Sequence, residues 1–167
     1  MSELKSLDYR LLWELVKNCR RSDRTLSKVL EISQPTVTRR RAKLEKDYID
    51  GYTAIPKFGK IGYEILAITL IKALGIFSAK EYPDINKQGL EWLAKQPNIV
   101  MGGACEGMGM NSFIVSLHKD YSDHTEFMLK LRLEMGNFID DVQTILVDLR
   151  NTKRLKPFHL KYLAEVK

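Results

Sequence analysis

The spacing of apolar residues changes character across residues 56–62, PKFGKIG, and this change constrains the fold more than any other feature of the chain. Before it, apolar residues recur at helical intervals. Beyond it, segments are β-branched and apolar or alternate in strand fashion. One proline and two glycines in so short a run predict an irregular hinge. A chain of 167 residues is long enough for one ordinary domain or two small ones, and the change of pattern favours two. The expected division is 1–54, a hinge over 55–64, and 65–167.

In the first part, Leu7, Leu11, Leu15 and Val16 lie on one helical face, which Leu12 and Cys19 widen, so residues 7–20 are expected to form an amphipathic helix. Ser22 or Asp23 suits the start of a second helix, whose buried side is Leu26, Val29 and Leu30. Ser33 suits the N-cap of a third, with Pro35 in the first turn, where its missing N–H costs nothing. That helix runs to about Lys46. Three helices with a short turn between the second and third predict a helix-turn-helix, and the alternation of YIDGYTAI around Gly51 predicts a hairpin wing.

In the second part, residues 65–74 read as a buried strand and 85–95 as a helix. IVMGGACEG and NSFIVSL read as two strands turned by Gly107 and Gly109. Asp123 and Glu126 have capping-box spacing ahead of an amphipathic helix, and residues 142–149 supply the last strand. The order β-α-β-β-α-β is the ferredoxin-like plan, so the fold class is α+β: a winged helix-turn-helix followed by a ferredoxin-like domain. The tail from Arg150, with Lys153, Arg154 and Lys156 and then apolar Phe158, Leu160, Tyr162 and Leu163, reads as a packing extension.

Net charge is +6, and its placement says more than its size. Lys and Arg outnumber Asp and Glu by 14 to 8 in residues 1–60, against 13 to 13 in residues 61–167. The basic module is therefore the one to test for nucleic acid. No apolar stretch approaches a membrane span, the N-terminus has no secretory h-region, and Cys19 and Cys105 form neither a disulfide framework nor a C-x-x-C pair. A cytoplasmic protein with reduced cysteines, and without a membrane partner, is expected.

Rotation by about 100° per residue, with Val37 and Leu44 inward, turns Pro35, Thr36, Thr38, Arg39, Ala42 and Lys43 of the third helix outward. Arg40 falls on one flank and Arg41 on the other, nearer the buried side. Arginine can bind guanine bidentately, and threonine methyls can touch thymine, so this face suits the major groove of double-stranded DNA. Ser33 and Gln34 at the helix mouth can bond phosphate oxygens. The candidate DNA-binding residues are Ser33, Gln34, Pro35, Thr36, Thr38, Arg39, Arg40 and Lys43. The competing reading is a solvated cationic helix.

Leu7-Asp8, Arg20, Leu26, Ser33, Thr36-Val37, Arg39-Arg40, Leu44-Glu45, Ile49 and Gly51-Tyr52 together resemble the winged helix-turn-helix of the Lrp/AsnC family, and Gly62 with the β-α-β-β-α-β remainder resembles its effector-sensing domain. The resemblance implies a transcription regulator rather than an enzyme. It also implies homodimers that assemble to octamers, bind pseudo-palindromic operators and respond to an amino acid or similar metabolite. Three positions depart from the family pattern: Glu31 and Asp47 stand where glycine is usual, and Arg41 where isoleucine is favoured. Left-handed backbone is expected at Asp47, and a guanidinium reaching toward phosphate at Arg41.

The family's ligand turn follows the second strand, where this chain has Gly107 and then Asn111 in place of an aspartate. Those two are the candidate effector residues, and the missing charge makes a ligand ammonium harder to hold. Met101, Cys105, Met108 and Met110 could in principle hold a soft ion, but alternation along strands assigns them to different faces, so no metal or cofactor is expected. His118, His124 and His159 lack zinc-ligand spacing. Siroheme decarboxylases share this architecture, but the resemblance brings with it a His-Asn-Tyr type segment at the second strand, where this chain reads Met101-Gly102-Gly103-Ala104. A metabolite-binding interaction protein without DNA binding is the third alternative.

Overall fold

The structure is a computed structural model that describes residues 4–75, 82–151, 153 and 156–164. It divides into two compact units, Met1–Ile55 with Pro157–Lys167, and Pro56–Lys156. Among the described residues no helix is long and apolar enough to cross a membrane.

The first unit is built on α1 (Ser6–Lys17), α2 (Asp23–Leu30) and α3 (Gln34–Asp47). Leu11 and Leu15, Leu26 and Leu30, and Val37 and Leu44 sit one or two turns apart on their helices, so each helix presents one apolar stripe, and the six side chains form a single buried cluster. Leu4, Leu12, Ile32 and Ile49 close it. The second helix starts where expected, because the Ser22 hydroxyl accepts the Thr25 N–H at 3.2 Å. The first is shorter than expected. It stops at Lys17, and Asn18 turns the chain outward by accepting the Arg20 N–H on its side chain, which leaves Cys19 past the helix.

Between α2 and α3, Glu31 takes left-handed backbone, φ 58° and ψ 44°, while its N–H and that of Ile32 both bond the Ser27 carbonyl. The tight turn is thus kept without a glycine, at the steric cost of a Cβ in that region. Glu31→Gly is expected to raise the unfolding free energy by about 0.5–1 kcal/mol, because relief of that strain exceeds glycine's entropic penalty. Urea titration of the two proteins checks this; an unchanged or lower midpoint contradicts it.

Two local expectations fail. Asp47 is the last helical residue and does not take positive φ. The expected wing does not form either: Ile49–Lys57 carry no regular structure. Ile49 packs into the helical core and the Tyr52 hydroxyl donates to Glu45 at 2.9 Å, so side chains tie the segment to the end of α3 in place of a strand partner. The short 3-10 turn of the tail, Leu160–Ala164, lies beside α1 within the first unit.

The second unit is one antiparallel sheet of β1 (Ile65–Ala73), β2 (Ile99–Gly107), β3 (Met110–His118) and β4 (Ile139–Asp148), in the order β2-β3-β1-β4, with α4 (Tyr82–Ala94) and α5 (Tyr121–Met135). This is the ferredoxin-like arrangement. Ile71, Trp92, Ile114, Phe127 and Leu131 form the core between the sheet and its helices. Helix α5 begins earlier than the Asp123/Glu126 spacing suggested, because Asp120 caps it by accepting the Asp123 N–H at 2.9 Å, and Asp123 returns a bond to the Lys119 N–H. Strand β4 likewise starts at Ile139, directly after a 3-10 turn over Gly136–Phe138.

The register places Val115, Ile68 and Ile145 side by side across β3, β1 and β4, on the sheet face opposite Ile114, Thr69 and Thr144. The second trio faces the helices. The first belongs to a face of apolar side chains, including Leu66, Leu70 and Phe113, on which Ile145 remains 57% exposed.

Candidate nucleic-acid interface

Three consecutive arginines on α3 have three different environments. Arg41 is folded inward: its guanidinium bonds Glu45 at 2.9 Å, Asp23 at 3.2 Å and the backbone carbonyls of Arg21 and Cys19, and it lies over the Tyr52 ring. Burial opposes its charge, but Glu45 and Asp23 outweigh that and hold it protonated more firmly than an ordinary arginine. The expectation that it reaches for phosphate is therefore corrected. Arg41 joins α3 to the α1–α2 connection, and Asp23 also accepts the Thr38 hydroxyl at 2.6 Å.

Arg40 is held on the opposite flank by Asp8 of α1, at 2.5 Å. Asp8 is 5% exposed. A carboxylate this deep needs a cation, and Arg40 supplies it. Arg39 and Lys43, one helical turn apart on the exposed face, make no hydrogen bond or ion pair among the described residues. Pro35 and Ala42 share that face and keep it low. At the helix mouth the Ser33 and Thr36 hydroxyls pair at 2.8 Å, so Ser33 occupies the N-cap position without bonding a backbone N–H. Gln34 remains exposed there.

Lys5, Asp8, Arg39, Arg40 and Lys43 line a cleft of about 200 Å³, with four cations around one carboxylate. The structure thus brings Arg39, Arg40 and Lys43 together and adds Lys5, which sequence reasoning had passed over. Asp8 did carry a legible signal, being a carboxylate on the same helical face as Leu11 and Leu15. Thr38 lies on the exposed side with its hydroxyl committed to Asp23, which leaves its methyl for contact.

In the sheet unit, the turn between β2 and β3 has positive φ at Gly107, Met108 and Gly109. Asn111 accepts the Ala73 N–H on its side-chain oxygen at 2.9 Å, where β1 bulges against β4, which leaves its two amide N–H donors and one oxygen lone pair. Met110 is buried, Met108 is 82% exposed at the turn tip, and Met101 lies on the sheet face away from the helices. The four soft side chains do not converge.

Three helices, a left-handed turn before the third, and unpaired cations on that helix's outer face define a helix-turn-helix module. The family model for the AsnC-type helix-turn-helix domain matches residues 4–45. An uncharacterised HTH-type transcriptional regulator of Pyrococcus furiosus is 38% identical over 74 residues, 44% of this chain and 50% of that protein. One from Pyrococcus horikoshii matches at the same identity and coverage. The chain therefore spans about half the length of the curated relatives it matches. The crystal structure of a transcriptional regulator–L-Met complex from Neisseria meningitidis superposes with TM-score 0.76 and 20% identity, covering 96% of this chain and 99% of that one. E. coli AsnC superposes with TM-score 0.73 and 18% identity, covering 95% and 99%. Residues 4–45 thus match the AsnC-type helix-turn-helix model, and the chain shares its fold with these two solved regulators.

Proposed function

We propose that this chain is a sequence-specific DNA-binding transcription regulator in which α3 reads the major groove. The observation that carries this reading is the division of labour on α3: Arg40 and Arg41 are committed to internal carboxylates, while Arg39 and Lys43 stand free on a low outer face. Arg39 and the Thr38 methyl meet base edges, Pro35 and Thr36 set the approach, and Lys43, Lys5, Ser33 and Gln34 meet phosphate. Arg40 contributes to the phosphate-facing cleft while holding Asp8. The chain acts in the cytoplasm as a homodimer, assembling further to octamers, with one α3 per half-site. The L-Met bound by the Neisseria regulator supports a metabolite effector for the sheet unit. The turn at Gly107 and Asn111 is its candidate seat, where the remaining amide donors of Asn111 suit a carboxylate better than an ammonium.

Selection from a pool of random duplexes, followed by footprinting and titration at several salt concentrations, tests this. The expected product is a site of two-fold character with half-sites one or more helical turns apart, and a logarithmic salt slope near −0.9 per phosphate neutralised. Arg39→Ala should relax base preference at one position per half-site by about 1–3 kcal/mol. Lys43→Ala should weaken all sites evenly and flatten the salt slope by about one. If no sequence is enriched, or both variants bind as the parent does, α3 is not the reading element.

A further inference from the structure

Asp23, the first residue of α2, divides its two carboxylate oxygens between two residues of α3. Oδ1 faces the Arg41 guanidinium at 3.2 Å, and Oδ2 accepts the Thr38 hydroxyl at 2.6 Å. Arg41 lies on the inward flank and Thr38 on the exposed face, so one half-buried side chain links the anchor of the helix to its outer surface. Arg41 balances the charge, which lets a carboxylate stand at the margin of a cationic surface without repelling an approaching phosphate.

A threonine inside a helix divides between two χ1 rotamers, because its hydroxyl can also bond a carbonyl one turn back. Thr38 Oγ1 does lie 3.2 Å from the Gln34 carbonyl, but its single hydrogen has the shorter path to the charged oxygen of Asp23. Two acceptors, one on α2 and one on α3, thus hold one rotamer, and the methyl on the same Cβ is held with it. The hydroxyl has no proton left to donate to a base. Pro35 and Ala42, three residues before and four after it on the helix surface, have no side chain long enough to cover that methyl.

We propose that Asp23 is a specificity-determining positioning residue, which by locking Thr38 makes it a reader of the thymine C5-methyl group. The proposal rests on α3 reading the major groove. There thymine alone among the four bases presents a methyl, while every base pair presents an acceptor to which a freely rotating hydroxyl could donate. Asp23 removes that indiscriminate option and leaves the apolar one. Without the carboxylate, the hydroxyl is free to turn and donate to a purine N7 or to thymine O4.

Titration of the full chain against its selected duplex, with each thymine replaced in turn by uracil, tests this in the parent and in Asp23→Ala, Asp23→Asn, Thr38→Val and Thr38→Ser. Uracil lacks only the methyl. At one position per half-site the replacement is expected to weaken parent binding by about fourfold, the worth of one buried methyl group. Asp23→Ala should cut that ratio to about twofold or less and admit purines at the same position on reselection. Asp23→Asn, whose amide oxygen still accepts the hydroxyl, keeps it. A role for Asp23 in folding alone would lower affinity for both duplexes and leave the ratio unmoved. Thr38→Val holds a methyl in its preferred helical rotamer and retains the ratio whatever its overall affinity, whereas Thr38→Ser loses it. The proposal is overturned if no thymine of the parent's site responds to uracil, if Asp23→Ala keeps the full ratio, if Asp23→Asn loses as much as Asp23→Ala, if Thr38→Val loses it, or if Thr38→Ser keeps it. Arg39→Ala separates the two kinds of failure. If it relaxes its own position while the uracil scan stays flat, α3 reads the groove without this lock; if no sequence is selected at all, the proposal falls with the reading it rests on.

Discussion

Arg40→Ala is expected to lower the unfolding free energy by about 3 kcal/mol, at the lower end of what breaking a buried ion pair costs. The effect comes from the partner left behind. Asp8 lies on the buried face of α1, next to Leu11, and after truncation its carboxylate would have neither its cation nor free access to water. The guanidinium is itself partly exposed, which keeps the figure from reaching the upper end of the range. Arg39→Ala, at the next position, removes a side chain with no partner and should change stability by less than about 0.5 kcal/mol. Urea titrations of both variants, with Asp8→Asn and the Asp8→Asn/Arg40→Ala pair to complete a cycle, measure this. Asp8→Asn should be milder than Arg40→Ala, because it leaves no buried charge, and the double variant should lose less than the sum. A near-neutral Arg40→Ala that nevertheless loses DNA affinity would sink the assignment, since it would make Arg40 a free phosphate ligand.

The contrast between neighbouring arginines also marks what the sequence can reveal. Helical rotation separates Arg39 from Arg40 and Arg41 without any tertiary information, and the apolar stripes of the three helices are readable for the same reason. The fates of Arg40 and Arg41 are not readable in that way, because their partners Asp8 and Asp23 are 32 and 18 residues distant and become neighbours only when the helices pack. The wing failed for a related cause. Alternation around Gly51 is a necessary condition for a hairpin but not a sufficient one, and Tyr52 found Glu45 on α3 before it found a strand. In the sheet unit the β-α-β-β-α-β order was legible from period and turn residues, whereas the cap of α5 moved from Asp123 to Asp120, two carboxylates close enough in sequence for either to serve. The burial of His124 could not be seen at all, because its imidazole meets the His118 ring, at 5.0 Å between centroids, only when α5 packs on β3.

In the proposed homodimer, Ile145→Glu is expected to yield a monomer and to weaken binding to the proposed operator by about a hundredfold or more. The sheet face away from the helices aligns Val115, Ile68 and Ile145 in register across three strands, with Ile145 57% exposed, and an exposed apolar residue on such a face marks an association surface. In a two-fold dimer one substitution acts twice. Two unpaired carboxylates at roughly 2 kcal/mol each raise the dimer dissociation constant by about a thousandfold. A single α3 then meets one half-site without the effective concentration its partner supplied, typically 10²–10⁴ in avidity. Light scattering on the eluted protein and a half-site against full-site titration read the two consequences separately. A parent chain that is monomeric at micromolar concentration, or a variant that elutes with it as a dimer, would remove this face from the interface.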